Sequence, residues 1–249
     1  MRYRAILVGW IMLLWGTACG TSPALEEQTL AFSRVVDLSH PLSADMPQPA
    51  DAPRTRLMLP GIPGASEELQ LDLQSATYLS LFPTDEGELT VEQMSPRELI
   101  IPAVVLDVRS QAQDSPDYRL SVAAIRRWER QHGRIPADCM VLLLTGWDYH
   151  WEQPAAYLNL DAEQMPQVPG FSTPAIEFLT QRRRISGLGL DTPNLAHPPA
   201  VRSVDVDLLL LENLTQLQQL PPTGATLVLG GLKLQAGTGS PVSVLAFVP

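Results

Sequence analysis

The sequence predicts a single domain of the α/β class, and three observations lead to this class. Residues 35–249 leave about 215 positions for folding, a length that an α/β fold commonly occupies as one domain. Several short runs rich in Val, Ile and Leu lack polar alternation, which is typical of strands covered on both faces. Segments with a helical period lie between these runs. Strands and helices therefore alternate along the chain.

Six apolar runs are predicted as strands, and they cover residues 100–108, 139–145, 185–190, 205–211, 226–229 and 242–248. The clearest helix is predicted over residues 121–131, with Ser121 as its N-cap and Gly133 as its stop. A second helix is predicted over residues 173–183 with Pro174 in its first turn. Loops are predicted at residues 47–63, 160–171, 193–199 and 221–222.

The first residues indicate an export signal. Arg2 and Arg4 precede an apolar run over residues 5–15, which has the length of a signal-peptide core. Small residues then lead to Cys19, so we expect residues 1–18 to be removed, Cys19 to be lipidated and residues 19–34 to serve as a tether. Gly16 departs from the usual lipobox Leu, and ordinary cleavage is the alternative. The expected location is a bacterial membrane, facing the periplasm or the cell surface.

The charge limits the kinds of binding partner that we expect, and the cysteine content limits the disulfides. The formal charge is −10, from 27 acidic and 17 basic residues, which disfavours nucleic acid and anionic membrane surfaces. We therefore expect contact with a membrane only through the lipid. Cys139 is the only other cysteine, so no disulfide within the chain is expected once Cys19 carries lipid.

Five separated segments resemble, in the right order, the cyclase family that includes bacterial kynurenine formamidases. No single segment is specific to the family, and the resemblance rests on the whole set in its order. The segments are residues 36–42 (VDLSHPL), 101–108 (IPAVVLDV), 141–148 (VLLLTGWD), 187–193 (GLGLDTP) with 212–214 (ENL), and 237–242 (GTGSPV). The resemblance implies a three-layer β/β/α cyclase-like domain of the swivelling type, a homodimer or larger oligomer, and metal-dependent hydrolysis of amide-like bonds.

The family's metal motif is replaced in this chain. Family members carry His-x-Gly-Thr-His-x-Asp-x-Pro-x-His, whose side chains hold zinc or a similar divalent ion that activates water. Alignment on Thr77 places Gln74, Tyr78 and Ser80 at the His, His and Asp positions and Thr84 at the last His position. These four residue types are poor zinc ligands. No histidine lies between His40 and His132, so no register restores the motif.

Three residues remain as remnant catalytic candidates. The resemblance implies that a later His and a Glu assist the metal motif, and Glu212 keeps the position of that Glu in its Glu-Asn-Leu segment. Asp191 follows a buried strand, and His197 lies in a rebuilt Pro-rich loop. A trio of this kind suits acid-base or metal chemistry, and a structural hydrogen-bonding role explains each member as well.

An aromatic cluster is predicted to border a small-molecule pocket. It consists of Trp147, Asp148, His150 and Trp151, and packing of the domain or of a dimer contact is the alternative role. We expect His40 to make a structural hydrogen bond.

Three hypotheses follow. The leading one is a pseudoenzyme that binds a small ligand or a partner protein, with no cofactor. The second is an active hydrolase with a relocated site that uses Glu212 and His197, with zinc or manganese as the expected metal. The third is a purely structural envelope lipoprotein, which binds no ligand.

Overall fold

Seven strands close into a barrel, and an eighth extends one edge. The computed structural model describes residues 30–48, 53–58, 68–82, 90–193 and 208–249. The sheet order is β1-β12-β11-β5-β7-β9-β10-β4, and β12 also pairs with β4, which closes the ring. Within the ring, β5, β7, β9 and β10 run parallel, and their neighbours run antiparallel. The predicted α/β class is confirmed.

The strands of this main sheet are β1 (Arg34–Asp37), β4 (Tyr78–Phe82), β5 (Ile100–Asp107), β7 (Met140–Leu144), β9 (Gly187–Leu190), β10 (Leu208–Glu212), β11 (Ala225–Gly231) and β12 (Gly239–Val248). Two small two-stranded sheets accompany it, formed by β2 (Arg56–Met58) with β3 (Glu68–Gln70) and by β6 (Arg119–Leu120) with β8 (Gly170–Phe171).

The helices are α1 (Arg109–Asp114), α2 (Val122–His132), α3 (Pro154–Leu158) and α4 (Thr173–Glu177), with a π-helical segment at Phe178–Arg183 and 3₁₀ turns at Pro96–Leu99, Trp147–His150 and Leu217–Gln219. Within the described part of the chain, no helix has the length and apolar character needed to cross a bilayer.

Strand alternation builds two separate cores. On β7, Met140, Leu142 and Leu144 point into the barrel, whereas Val141 and Leu143 point outward. The outward side chains pack under α2 and α4, where Ile125 and Ile176 are fully buried. Both faces of these strands are therefore covered, which explains their lack of polar alternation. The two barrel walls and the helices form the expected β/β/α layers.

Glycines on β9 make the barrel interior possible. A Cβ on Gly189 would lie 2.6 Å from a methyl carbon of Leu142, and one on Gly187 would lie 2.4 Å from the sulfur of Met140. Such distances are far below van der Waals contact, so only glycine leaves room for the large side chains of the neighbouring strand β7 in the interior.

Most predicted elements are confirmed, but one predicted helix changes geometry and several short elements were not predicted. Ser121 caps α2 by accepting from the amide of Ala124, and Gly133 ends the helix. The predicted helix over residues 173–183 changes to π geometry after Glu177. There the hydroxyl of Thr180 donates to the carbonyl oxygens of Ile176 and Glu177, a contact that disturbs helical hydrogen bonding.

The other differences concern elements that were not predicted, namely the strands β1, β4, β6 and β8 and the helices α1 and α3. The residues of β4 align with the metal motif, and β8 lies inside the loop predicted over residues 160–171. The hairpin of β2 and β3 lies inside the region predicted as the loop over residues 47–63 and just after it. The export signal, the lipidation site and most of the tether, at residues 1–29, lie outside the described residues.

Candidate functional site

Tyr78 and Glu212 form a hydrogen-bonded pair at the end of the barrel. They are direct partners in the antiparallel pairing of β4 with β10. Both side chains face away from the barrel interior, since Leu79 and Leu211 beside them pack inward. The phenol of Tyr78 donates to Oε2 of Glu212. Exposure is only 7% for Tyr78 and 6% for Glu212, so the contact lies away from bulk water.

A cavity of about 710 Å³ opens beside this pair. Its described lining combines apolar and polar side chains, namely Pro47, Pro53, Leu158, Leu160, Pro166 and Pro193 with Gln48, Asp72, Gln74, Tyr78, Tyr157, Gln164 and Asn213. Four members are carboxamides, two are phenols and one is a carboxylic acid. Among the described lining residues there is no lysine, arginine or histidine. The described lining therefore offers neutral hydrogen-bonding groups and a single acidic group.

Tyr157 and Asn213 brace the cavity wall. The Tyr157 hydroxyl donates to Oδ1 of Asn213 over 2.9 Å, and the Asn213 amide donates to the carbonyl oxygen of Ala76 over 2.6 Å. Thr77 Oγ1 donates to the backbone carbonyl of Asn213 over 2.5 Å. Burial, reinforced by the charges of Asp191 and Asp148, raises the pKa of Tyr157 well above its usual value. The phenol therefore remains a neutral donor.

Asp191 is committed to a turn. Its carboxylate accepts from the Thr145 amide at 3.0 Å, the Thr145 hydroxyl at 2.6 Å and the Gly146 amide at 2.7 Å. Gly146 takes φ 77°, a conformation that favours glycine. Burial raises the pKa of Asp191 to about 7, although the hydrogen bonds from Thr145 and Gly146 oppose the shift. These hydrogen bonds hold the turn after β7, and Asp191 is not among the described residues that line the cavity.

The predicted aromatic cluster lies behind the wall of the cavity. Trp147 and Trp151 pack with Tyr157, and Trp147 Nε1 donates to the Tyr157 carbonyl over 2.8 Å. Asp148 accepts from the Thr215 hydroxyl at 3.0 Å, and His150 lies edge-on to Trp147. None of the four predicted residues is among the described lining. They support Tyr157, which the sequence did not single out as a site residue.

His40 stacks on this cluster. Its ring lies 3.7 Å from that of Trp151, centroid to centroid, at an interplanar angle of 7°. Nε2 is buried and makes no hydrogen bond to any described residue. Burial lowers the pKa of His40 to about 4, and the charge of Asp148 offsets only part of this shift. His40 is therefore a neutral aromatic packing residue. The hydrogen bond that we expected from this residue is made by its backbone amide, to Thr77 Oγ1 at 2.8 Å.

Of the positions aligned with the metal motif, Gln74 and Tyr78 both line the cavity. Gln74 is exposed there, and its backbone amide donates to Asp72 at 2.8 Å. Ser80 is half-buried two residues beyond Tyr78 on β4, opposite Leu210, and is not in the described lining. Thr84 and the remnant candidate His197 fall outside the described residues, as does Cys19.

The described residues at the metal-motif positions are poor ligands for zinc or manganese. An amide, a phenol and a hydroxyl occupy the described motif positions, and none of them is a good ligand for these ions. Within the described ranges, no group of three His, Cys, Asp or Glu side chains is placed to hold a metal ion. Glu212, the one acid kept from the family site, already accepts from a phenol. The described residues therefore form a hydrogen-bonding site.

Known proteins resemble this chain in sequence and in fold. The family model named Cyclase matches residues 36–197. An isatin hydrolase from Roseibium aggregatum is 33% identical over 177 residues, a match that spans 66% of this chain and 66% of that protein, just under two thirds.

Two solved structures of isatin hydrolase A superpose closely on this chain. The one from Ralstonia solanacearum has a TM-score of 0.78 at 30% identity, covering 87% of this chain and 92% of that chain. The one from Labrenzia aggregata, bound to benzyl benzoate, has a TM-score of 0.77 at 31% identity, covering 86% and 93%. A structure described as a potential metal-dependent hydrolase with cyclase activity has a TM-score of 0.63 at 19% identity over 87% and 98%, and it shows the fold alone.

Proposed function

Because this chain belongs to the cyclase family, whose ancestral chemistry is hydrolytic, we propose that it keeps the family cavity for binding and has lost metal-dependent hydrolysis. The observation that carries this proposal is the hydrogen bond from Tyr78 to Glu212. In a metal-dependent site the carboxylate would help to hold an ion that activates water. Here the phenol of Tyr78 donates a hydrogen bond to the Glu212 carboxylate instead.

The replaced residues suit binding. Gln74 and Tyr78 are poor metal ligands but good hydrogen-bonding groups, and both line the cavity. The cavity volume of about 710 Å³ lies within the usual range for small-molecule sites. The same substitutions that remove a metal-activated nucleophile therefore leave polar groups that a bound molecule can engage.

The lining favours a neutral, flat ligand. Carboxamides and phenols can donate to and accept from carbonyl and N–H groups, and the prolines and leucines offer apolar surfaces. The described lining has no cation to pair with an anionic ligand, and Asp72 disfavours one. Isatin, the compound for which the relatives are named, is a neutral cyclic amide of this kind. It is the natural first probe.

Titration of the full chain with isatin in the presence of EDTA tests the proposal. Calorimetry is expected to report saturable binding, and the isatin absorbance is expected to stay constant. Gln74→Ala should weaken binding by several-fold, because one polar contact is lost. Gln218→Ala, an exposed carboxamide outside this lining, is the matched control and should change nothing. Absence of binding would contradict the proposal, and so would a fall in isatin absorbance when zinc or manganese replaces the EDTA.

The rival is a hydrolase with relocated chemistry. It would use Glu212 with His197, and Asp191 is a weak third member because three donors of the turn after β7 already engage it. Turnover of isatin or a model ester that disappears in His197→Ala would favour this rival. The structural-lipoprotein hypothesis predicts that no aromatic or carboxylate metabolite raises the melting temperature.

The cellular setting belongs to the same proposal. We place the protein at a bacterial membrane through a lipid on Cys19, as a homodimer or larger assembly. The small ligand is the favoured partner over a partner protein, because the cavity is already built within one chain. Light scattering of the purified full chain tests the oligomeric state, and a monomer at all concentrations would contradict it.

A further inference from the structure

One surface of this acidic protein carries an excess of arginine. Residues 126–138 and 177–184 contain seven arginines and three acidic residues, a local charge of +4 in a chain of formal charge −10. We call this the arginine face, and its arginines are Arg126, Arg127, Arg130, Arg134, Arg182, Arg183 and Arg184. The net charge of the chain thus conceals a region of opposite sign.

Contacts between two elements gather these arginines on one surface. Arg183 on the π-helical segment pairs with Glu129 of α2 at 2.6 Å. The ring of Phe178 lies between the guanidinium groups of Arg183, at 4.4 Å, and Arg126, at 5.4 Å. Such cation–π contacts hold guanidinium groups in fixed positions. The ends of α2 and of the π-helical segment therefore form one continuous patch.

Several guanidinium groups of the patch are available to a partner. Arg127, Arg130, Arg182 and Arg184 are exposed, and none of them pairs with a carboxylate of the described residues. Arginine binds phosphate oxygens through two parallel N–H bonds, which makes it well suited to phosphate-bearing surfaces. At physiological salt the Debye length is about 8 Å, so distant acidic residues do little to cancel the local field.

The arginine face lies at the opposite end of the parallel strands from the cavity. The amide of Asp138, just before β7, donates to the carbonyl oxygen of Arg184, just before β9, over 2.9 Å. Pro193 and Asn213, which line the cavity, follow the carboxyl ends of β9 and β10. A surface bound to the arginines would therefore leave the cavity open on the far side.

We propose that the arginine face docks on the phosphate headgroups of an anionic membrane and orients the cavity toward the solution. The expected anchor strengthens this assignment. Ten residues lie between Cys19 and Leu30, where the described chain begins, and the eleven steps from one residue to the next span at most about 40 Å. A domain held this close to a bilayer meets headgroups at high local concentration, so modest electrostatic attraction suffices to set its orientation.

Vesicle binding of residues 20–249 tests this proposal, since this chain lacks both the apolar run of residues 5–15 and the cysteine that would carry lipid. The vesicles contain phosphatidylcholine alone or a three-to-one mixture with phosphatidylglycerol. We expect binding to the anionic vesicles only. Each arginine near such a surface contributes about five-fold in partitioning, so the triple variant Arg130→Gln, Arg182→Gln, Arg184→Gln should lose binding by on the order of 100-fold.

A matched variant distinguishes an effect of the arginine face from an effect of the net charge of the chain. Arg54→Gln, Arg56→Gln, Lys233→Gln removes three exposed positive charges elsewhere and should retain binding within about five-fold. Equal losses in both variants, or no preference of the parent chain for anionic vesicles, would overturn the proposal. Binding to polyglutamate without binding to vesicles would also overturn it and assign the face to an acidic protein. Salt titration of the parent chain supplies a readout that needs no substitution, since binding should fall steeply with ionic strength.

Discussion

Tyr78 donates its phenolic hydrogen to Glu212, across two strands whose paired residues are separated by 134 positions in the chain. A buried carboxylate needs such a partner, since an unpaired one is costly to remove from water. In the family resemblance Glu212 belongs to a metal site and Tyr78 stands at a histidine position. The pair thus accounts for the retention of the acid where the aligned histidine is lost.

Loss of the Tyr78 hydroxyl should destabilise the protein. In Tyr78→Phe the ring still fills its place, but Glu212 loses a donor at a position with little access to water. We expect the free energy of unfolding to fall by about 1–3 kcal/mol, measured by urea denaturation. Tyr149→Phe is the control, because Tyr149 is 82% exposed, and it should change stability by less than about 0.5 kcal/mol. Equal effects would show that the pair contributes nothing specific.

Tyr157→Phe should affect both stability and binding. The substitution leaves Oδ1 of Asn213 without its 2.9 Å donor inside the cavity wall. A loss of about 1–3 kcal/mol in unfolding free energy is expected, together with weaker isatin binding because Asn213 is no longer held. Unchanged affinity in a destabilised variant would separate the wall hydrogen bond from the ligand site.

The dependence of stability on pH should contain two opposing contributions. The pKa of Asp191 rises from its ordinary value of 3.8 to about 7 on folding, so the native state binds the extra proton between these values and stability falls as pH rises through them. The pKa of His40 drops from 6.5 to about 4, so the unfolded state binds the extra proton and stability rises with pH between about 4 and 6.5. The two slopes partly cancel.

Single substitutions should reveal each slope. Asp191→Asn is expected to make stability rise with pH between about 4 and 6.5, whereas His40→Gln should make it fall more steeply over the same range. Either substitution lowers absolute stability, so the slope from denaturation at several pH values is the readout. His132→Gln, an exposed histidine at the end of α2, is the control for removing an imidazole. A slope in either variant that matches the parent would refute the assignment for that residue.

Cys19→Ser should abolish lipid attachment. The substitution removes the thiol that would carry lipid while leaving the apolar run of residues 5–15 in place. The parent chain should therefore incorporate labelled palmitate, and the variant should not. A parent chain without label would indicate ordinary signal-peptide cleavage.

The sequence predicted those parts of the fold that depend on neighbours along the chain. The caps of α2 and the buried runs that became β5 and β7 follow from local patterns. Closure of the barrel was not foreseen, because it depends on β4 pairing with two strands that are distant in sequence. The alternation of Tyr78 and Ser80 with two leucines was a strand signal that the alignment with the metal motif obscured.

The site divides along the same line. Absence of histidine between His40 and His132 is visible in the sequence, so the altered metal motif could be predicted. The hydrogen bond from Tyr78 to Glu212 could not, since only folding brings those residues together. Tyr157 was overlooked for a similar reason. Its hydroxyl reaches the cavity wall through Asn213, and no local pattern marks that contact.

Metal analysis of the purified full chain tests the central claim most directly. The protein is prepared from cells supplied with zinc and manganese, and both metals are quantified by mass spectrometry beside Glu212→Ala. Gln74, Tyr78 and Ser80 are poor metal ligands, and the Tyr78 phenol donates a hydrogen bond to Glu212. We therefore predict a metal content far below one ion per chain, and we expect the same content in the variant. A near-stoichiometric content of either metal that Glu212→Ala abolishes would contradict this account.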